Sequence, residues 1–376
     1  MKKLLAVVLA ACTAFALASC NNNADKSYTS GNTEYVIGCT GPLTGDASSY
    51  GISVQKGATL AVDEINENGG LNGVKFKFDM KDDKAAAADA ASGYDMLYEA
   101  GMQVSLGSVT SGSCASFASK AVKDNVFFIT PSASAANVIE SGKNAFRVCF
   151  GDPDQGVLAA NEINEKYETV GVIYDTSDPY SSGIYEAFKG EMEKLGKEYS
   201  VQTFDAENKK DFSTQVEALK DCDVIFLPFY YTEAGLVAKA CVAKGSDAVL
   251  FGCDGFDGID GQIDNSVTNL IRYITPFDVN STDANVADFV NAYKEAYSGE
   301  APDQFAADGY DAVYAIFNAM QKAGINDVTI SASDLCDKLI PAITADDFTY
   351  TGATGTMTWD ASGACNKIPT IIELQK

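Results

Sequence analysis

The chain has 376 residues, of which 46% are hydrophobic and 21% charged. That is an ordinary globular composition, with length for two or three domains. Its 27 Lys and Arg stand against 52 Asp and Glu, a formal charge of −25. This balance argues against a nucleic-acid surface, which needs cations to neutralise phosphates, and against broad docking on anionic lipid. There is no histidine, which removes Ser-His-Asp and Cys-His catalysis, HExxH zinc proteases and other His-dependent metal sites.

Lys2 and Lys3 precede an apolar run, Leu4 to Ala16, and then Leu17-Ala18-Ser19-Cys20. The run is short for a membrane span and has the form of an export signal. Leu-Ala-Ser-Cys is similar to the bacterial lipobox, in which the cysteine thiol is acylated and the peptide is cut before it. Cleavage before Cys20 leaves 357 residues and a charge of −27. Residues 20–34 are polar and read as a tether between lipid and domain. Acyl chains on Cys20 would anchor the protein without a transmembrane helix. No later segment has 18 uninterrupted apolar residues, so nothing else is expected to span.

From Glu34 onward, short apolar runs alternate with helical patterns. Tyr35–Thr40 reads as a buried strand and Gly51–Asn68 as a helix with Val54, Ala58, Ala61, Val62 and Ile65 on one face. Strands at 75–80, 104–107, 126–130 and 145–150 are separated by helices at 84–101 and 113–123. The rhythm restarts with a helix at 155–166. Strands follow at 170–175, 199–204, 224–229, 249–253 and 270–275, with helices at 180–195, 212–219 and 233–244 between them. Helices at 284–297, 304–323 and 333–343 and strands at 356–359 and 368–374 close the chain. Sustained β-α alternation predicts an α/β protein of two doubly wound parallel-sheet lobes. In such sheets ligands sit beyond the carboxyl ends of strands, and facing lobes make a cleft between them.

The chemical motifs are sparse. Gly107–Cys114 (GSVTSGSC) has P-loop-like glycines but lacks the Lys-Ser/Thr that holds phosphate. No GxSxG nucleophile elbow occurs. Asp254–Asp264 (DGFDGIDGQID) lacks EF-hand spacing and reads as a Gly-rich loop with solvated acids, with Ca²⁺ binding left open. Ser111-Gly112-Ser113 lies where a strand gives way to a helix. Free N–H groups, hydroxyls and the positive end of the helix dipole there suit a carboxylate, although plain helix capping explains the same residues. The same two readings apply to Ser132-Ala133-Ser134.

Of ten cysteines, Cys12 leaves with the signal and Cys20 carries lipid. Cys39, Cys114, Cys149, Cys222, Cys241, Cys253, Cys336 and Cys365 remain, none closer than twelve residues to the next. That spacing excludes CxxC and zinc-ribbon sites. Export permits disulfides, but several of these cysteines sit in apolar runs (VIGC, RVCF, LFGC) and read as buried thiols.

Ile37–Asp83 (IGCTGPLTGDASSYGISVQKGATLAVDEINENGGLNGVKFKFDMKDD) resembles the start of the leucine/isoleucine/valine-binding family of ABC-importer receptors, which have the type I periplasmic-binding fold. The likeness continues through LGSVTSGS, FFITPSAS, RVCFGD, VGVIYDTSDPYSSG, FGCDG, AADGYDAVY and TGATGTMTWDASG, and so covers 35–376. It implies lobe one at 35–150 plus 275–354, lobe two at 151–274 plus 355–376, and three crossing segments. It implies no enzymatic step and no cofactor. It also implies a monomer on the extracytoplasmic side of a membrane that captures an α-amino acid, most simply a branched-chain or aliphatic one, for a permease and its ATPase.

By the same resemblance, Ser111 holds the ligand carboxylate, assisted by Ser132 and Ser134. Asp254 pairs with the ligand ammonium, and Tyr50, Tyr180 and Tyr230 wall the pocket. Family members often carry Glu at the position of Asp254, so the shorter acid needs a closer approach or a bridging water. The cysteines of the first-lobe disulfide found in the best-known members are missing here, and that bridge is not expected. Amides, urea and aromatic acids are alternative ligands within the family, and a sensory subunit is an alternative role. A secreted hydrolase fits poorly without His or a nucleophile elbow.

Overall fold

The structure, a computed structural model, describes residues 28–374. The export signal, Cys20 and the tether as far as residue 27 lie outside the described residues.

Lobe one begins with β1 (Tyr35–Gly41), α1 (Ser48–Glu67), β2 (Phe76–Asp82), α2 (Ala87–Glu99), β3 (Val104–Ser108), α3 (Ser111–Lys123), β4 (Phe128–Thr130), the short α4 (Ala136–Ile139) and β5 (Ala145–Arg147). Lobe two follows with α5 (Asp152–Lys166), β6 (Val170–Asp175), α6 (Pro179–Leu195), β7 (Ser200–Phe204), α7 (Ser213–Leu219), β8 (Val224–Leu227), α8 (Tyr231–Lys244) and β9 (Val249–Gly252). Two single 3₁₀ turns, Asp254–Phe256 and Ile259–Gln262, lead to β10 (Ile271–Thr275). The chain returns to lobe one for α9 (Ala284–Ala296), α10 (Gln304–Lys322), α11 (Ala332–Ile343) and a hairpin of β11 (Tyr350–Gly352) and β12 (Gly355–Met357). It ends in lobe two with β13 (Thr370–Glu373).

The sheets run β2-β1-β3-β4-β5 and β13-β10-β9-β8-β6-β7, parallel throughout except for β13, which pairs antiparallel with β10. Each is doubly wound. Strand order reverses at β1/β3 in the first sheet and at β6/β8 in the second, which puts the crevice of each lobe at those carboxyl ends. β1 is buried along its whole length, as expected of a parallel strand covered on both faces. The apolar face of α1 carries the five residues expected from its periodicity. α1 also packs closely on α10, because a Cβ at Gly57 would fall 1.8 Å from the Ala306 carbonyl oxygen. Only glycine admits that approach, and it sets the N-terminus of α10 at the lobe interface.

Two expectations are corrected. Residues 28–34 are docked on lobe one instead of hanging free. Thr29 Oγ1 donates to Thr329 O at 3.0 Å, Asn32 Nδ2 donates to Gly101 O at 2.9 Å, and Tyr28 packs edge-on to Tyr98. The boundary expected at 354/355 cuts the β11–β12 hairpin, which pairs Gly352 with Gly355. Beyond the hairpin, Trp359 Nε1 donates to Arg147 O at 2.7 Å, so the chain stays on lobe one for several more residues before β13. The third crossing therefore lies near Lys367. Its ammonium is buried on Asp308 of α10 at 2.9 Å and on Thr354 Oγ1 at 2.6 Å.

The eight cysteines among the described residues are free thiols, seven of them buried and Cys222 half-buried. No helix among the described residues is long and apolar enough to cross a membrane.

Candidate functional site

Six of the seven residues expected at the site line one small cavity between the lobes: Tyr50, Ser111, Ser132, Tyr180, Tyr230 and Asp254. Each follows the carboxyl end of a strand, where a doubly wound sheet leaves its crevice. Tyr50 lies in the first turn of α1, Ser111 opens α3, and Ser132 follows β4. On the other lobe Tyr180 lies in the first turn of α6, Tyr230 caps α8, and Asp254 follows β9.

The lobe-one pole is made of hydroxyls and a helix end. α3 begins at Ser111, two residues earlier than its sequence pattern suggests, with Thr110 as its N-cap. Ser111 is 2% exposed, and its Oγ accepts the Ala135 N–H at 3.3 Å. That leaves its own proton to donate into the cavity. Ser132 Oγ already donates to Val109 O at 2.8 Å. Ser134 departs from expectation. It is absent from the cavity lining, and its hydroxyl lies against the Asp152 carboxyl of lobe two. The reason is local: Ser134 O accepts both Arg147 Nη1 at 2.6 Å and the Asp152 N–H at 3.1 Å, which turns the residue toward the first crossing.

The lobe-two pole is Asp254, 5% exposed. Tyr180 Oη donates to its Oδ1 at 2.6 Å, its N–H donates to Gln155 Oε1 at 3.0 Å, and its carbonyl accepts Gln304 Nε2 at 2.6 Å. Burial pushes the Asp254 carboxyl up to about 6, against the pull of the Tyr180 hydroxyl. The acids of this loop are thus not all solvated, since Asp254 is buried and Asp257 half-buried, with Asp257 Oδ2 accepting the Gln304 N–H at 2.9 Å. No group of three or more acids or cysteines among the described residues is placed to hold a metal ion.

Aromatic rings close the cleft. Tyr180 and Tyr230 stack at 5.1 Å, and Tyr50 lies 5.6 Å edge-on from Tyr230 and 4.1 Å from Phe305. Several polar contacts cross between lobes. Tyr50 Oη donates to Gly255 O and accepts the Tyr231 N–H, Thr232 Oγ1 donates to Asp46 O at 2.8 Å, and Lys209, paired within its own lobe to Glu233 at 3.0 Å, reaches Asp46 at 3.4 Å. The cavity holds about 10 Å³, room for about one water. The contacts across the cleft hold the lobes closed, and a ligand of amino-acid size must enter through an opened form. An outer chamber of about 280 Å³ adjoins the cavity through Thr110, Tyr180 and Tyr230.

Sequence reasoning missed Thr110 and Phe305. Thr110 Oγ1 is buried without a hydrogen-bond partner at the cavity wall, and Phe305 is 4% exposed. Their adjacency to Ser111 and to AADGYDAVY, both already singled out, was the available signal.

Two lobes that trap a polar pole on each side of a closed cleft define a two-lobed ligand-binding receptor. The sequence profile of the periplasmic binding proteins matches residues 34–364, and the chain belongs to that family. It is 30% identical over 232 residues to the Leu/Ile/Val-binding protein BraC3 of Rhizobium johnstonii, covering 60% of this chain and 63% of that protein. It is 28% identical over 337 residues to the leucine-, isoleucine-, valine-, threonine- and alanine-binding protein of Pseudomonas aeruginosa, covering 87% and 86%. Among solved structures it is similar to the branched-chain amino acid transporter substrate-binding protein LivJ of Streptococcus pneumoniae in complex with isoleucine. That match has 28% identity and a TM-score of 0.76, and covers 91% of this chain and 100% of LivJ.

Proposed function

We propose that this protein captures an α-amino acid with an aliphatic, most simply branched, side chain and delivers it to an ABC importer without chemical change. The observation that carries this reading is the meeting of Ser111 from lobe one and Asp254 from lobe two on one aromatic-walled cavity. A hydroxyl at a helix N-terminus suits the ligand carboxylate, and a buried acid suits the ammonium. Val109, Phe305 and the tyrosines supply apolar surface for the side chain. Because the ligand touches both poles only when the lobes are shut, it shifts an open–closed equilibrium toward the form a permease can recognise.

The same reading makes the protein a monomer anchored by acylated Cys20 outside the cell membrane, working with a permease and an ATPase. The lipobox-like Leu17–Cys20 supports the anchor, and the relatives' names support the ligand class. Titration calorimetry of the purified, ligand-stripped protein against the twenty amino acids tests it. Leucine, isoleucine or valine binding tightly with no product formed is the expected result, and no binding by any of the twenty defeats it.

A further inference from the structure

Asp152 opens α5 and is 1% exposed, yet neither of its carboxylate oxygens makes a well-formed hydrogen bond, and the Ser134 hydroxyl is the one donor lying against them. A buried carboxyl in that condition is costly and uncommon. Ser134 Oγ, Gln155 Nε2 and Arg147 Nε are also buried and unpartnered, and all three belong to the surroundings of Asp152. Gln155 stands three residues along α5, on the same helical face and about 5–6 Å away. Its other amide atom, Oε1, receives the Asp254 N–H at 3.0 Å. The Ser134 hydroxyl lies against the Asp152 carboxyl, and Arg147 Nη1 donates to the Ser134 carbonyl. Asp152 thus shares the first turn of α5 with Gln155, whose side chain holds the Asp254 backbone, and it meets lobe one at Ser134.

We propose that Asp152 is a positioning residue of the amino-acid site, a second carboxyl near Asp254 that takes up negative charge when the ligand's ammonium arrives. This rests on the reading of Asp254 as the ammonium's partner. The groups that face Asp152 are Asp254 after β9, Asp178 at the N-cap of α6, Arg147 before α5, Ser134 of lobe one, and Tyr230 and Cys253. Burial, Asp254 and Asp178 all favour its protonated form, and Arg147 and the serine hydroxyl oppose them. Two carboxylates in one dry space resist ionising together, and Arg147, the cation already beside Asp152, directs Nη1 to the Ser134 carbonyl. The ligand's ammonium adds a second cation. Its arrival lets Asp152 give its proton to bulk solvent, and the second carboxylate strengthens the field that holds the ligand at the shorter Asp254.

Leucine titrations at about pH 7.5, in two buffers of different protonation enthalpy, count the protons released on binding. Asp254 is already ionised at that pH, so it contributes little. Wild type is expected to release up to about one proton more than Asp152→Asn, which binds leucine more weakly. A merely structural role for Asp152 would weaken binding without changing the count. Ser134→Ala keeps the carboxyl but removes a hydroxyl that favours its charge, and it serves if Asp152→Asn fails to fold. Reduced release supports the proposal, and unchanged release overturns it. Equal release by wild type and Asp152→Asn overturns the proposal while the amino-acid reading stands. Failure of wild type to bind leucine at all overturns both.

Discussion

The Tyr180 hydroxyl donates to Asp254 Oδ1 at 2.6 Å while accepting the Gly255 N–H at 2.9 Å. One phenol therefore fixes the acid's rotamer and joins the turn that carries it to the first turn of α6. The Asp178 side chain caps that turn by accepting the Tyr180 and Ser181 N–H groups. Tyr180→Phe keeps the ring that stacks on Tyr230 but leaves a buried carboxylate oxygen and an N–H without their partner. Leucine affinity is expected to fall by about 1–3 kcal/mol. The acid limb of binding moves to higher pH, because a group that favours the ionised acid is lost. Calorimetry across pH reads both effects.

Asp254 itself sets a pH dependence whose sign can be worked out. Burial raises its carboxyl from the ordinary value near 4 to about 6. Between those values the ligand-free folded protein holds a proton that the unfolded chain has shed, so its stability falls as pH rises through that window. The ammonium prefers the ionised acid, so leucine affinity does the opposite and falls as pH drops through about 6. Asp254→Asn should weaken leucine binding by about 1.5–3 kcal/mol and flatten this limb, as calorimetry over that range would record.

Tyr50 tests the clasp between lobes. It is 1% exposed, and its hydroxyl meets Gly255 O and the Tyr231 N–H, both on lobe two. Opening the cleft must break these bonds. Tyr50→Phe removes them from the closed form alone, which favours opening and is expected to weaken leucine binding by about 1–2 kcal/mol. The loss should appear mainly as faster dissociation in stopped-flow chase experiments.

The hinge carries a buried ion pair. Lys367 and Asp308 have side chains 2% and 3% exposed, 2.9 Å apart. Lys367→Met strands a buried carboxylate and should cost about 3–5 kcal/mol, read as a lower urea midpoint. Adding Asp308→Leu should recover much of that loss, because the stranded charge goes with it.

The parts of the fold written in local periodicity were legible. Val170–Asp175 is the strand its apolar run predicts, and the buried face of α1 is the predicted stripe. The hairpin strand Tyr350–Gly352 was not legible, being three residues with no alternation of burial. Neither was the docking of Thr29, which depends on a carbonyl 300 positions away. The site shows the same division. Ser111 and Asp254 stand in quotable motifs at strand ends. The turning of Ser134 away from the cavity follows from Arg147, and the seating of Asp152 follows from its N–H on the Ser134 carbonyl. Those contacts join residues whose spacing in the chain carries no signal.

The most direct measurement is a crystal structure of the protein grown with leucine. The account predicts leucine inside the closed cleft, with its carboxylate within hydrogen-bonding distance of Ser111 Oγ, its ammonium on the Asp254 carboxylate and its side chain against Tyr50, Tyr230 and Phe305. Leucine seated elsewhere, or turned end for end with its ammonium toward Ser111, would contradict it.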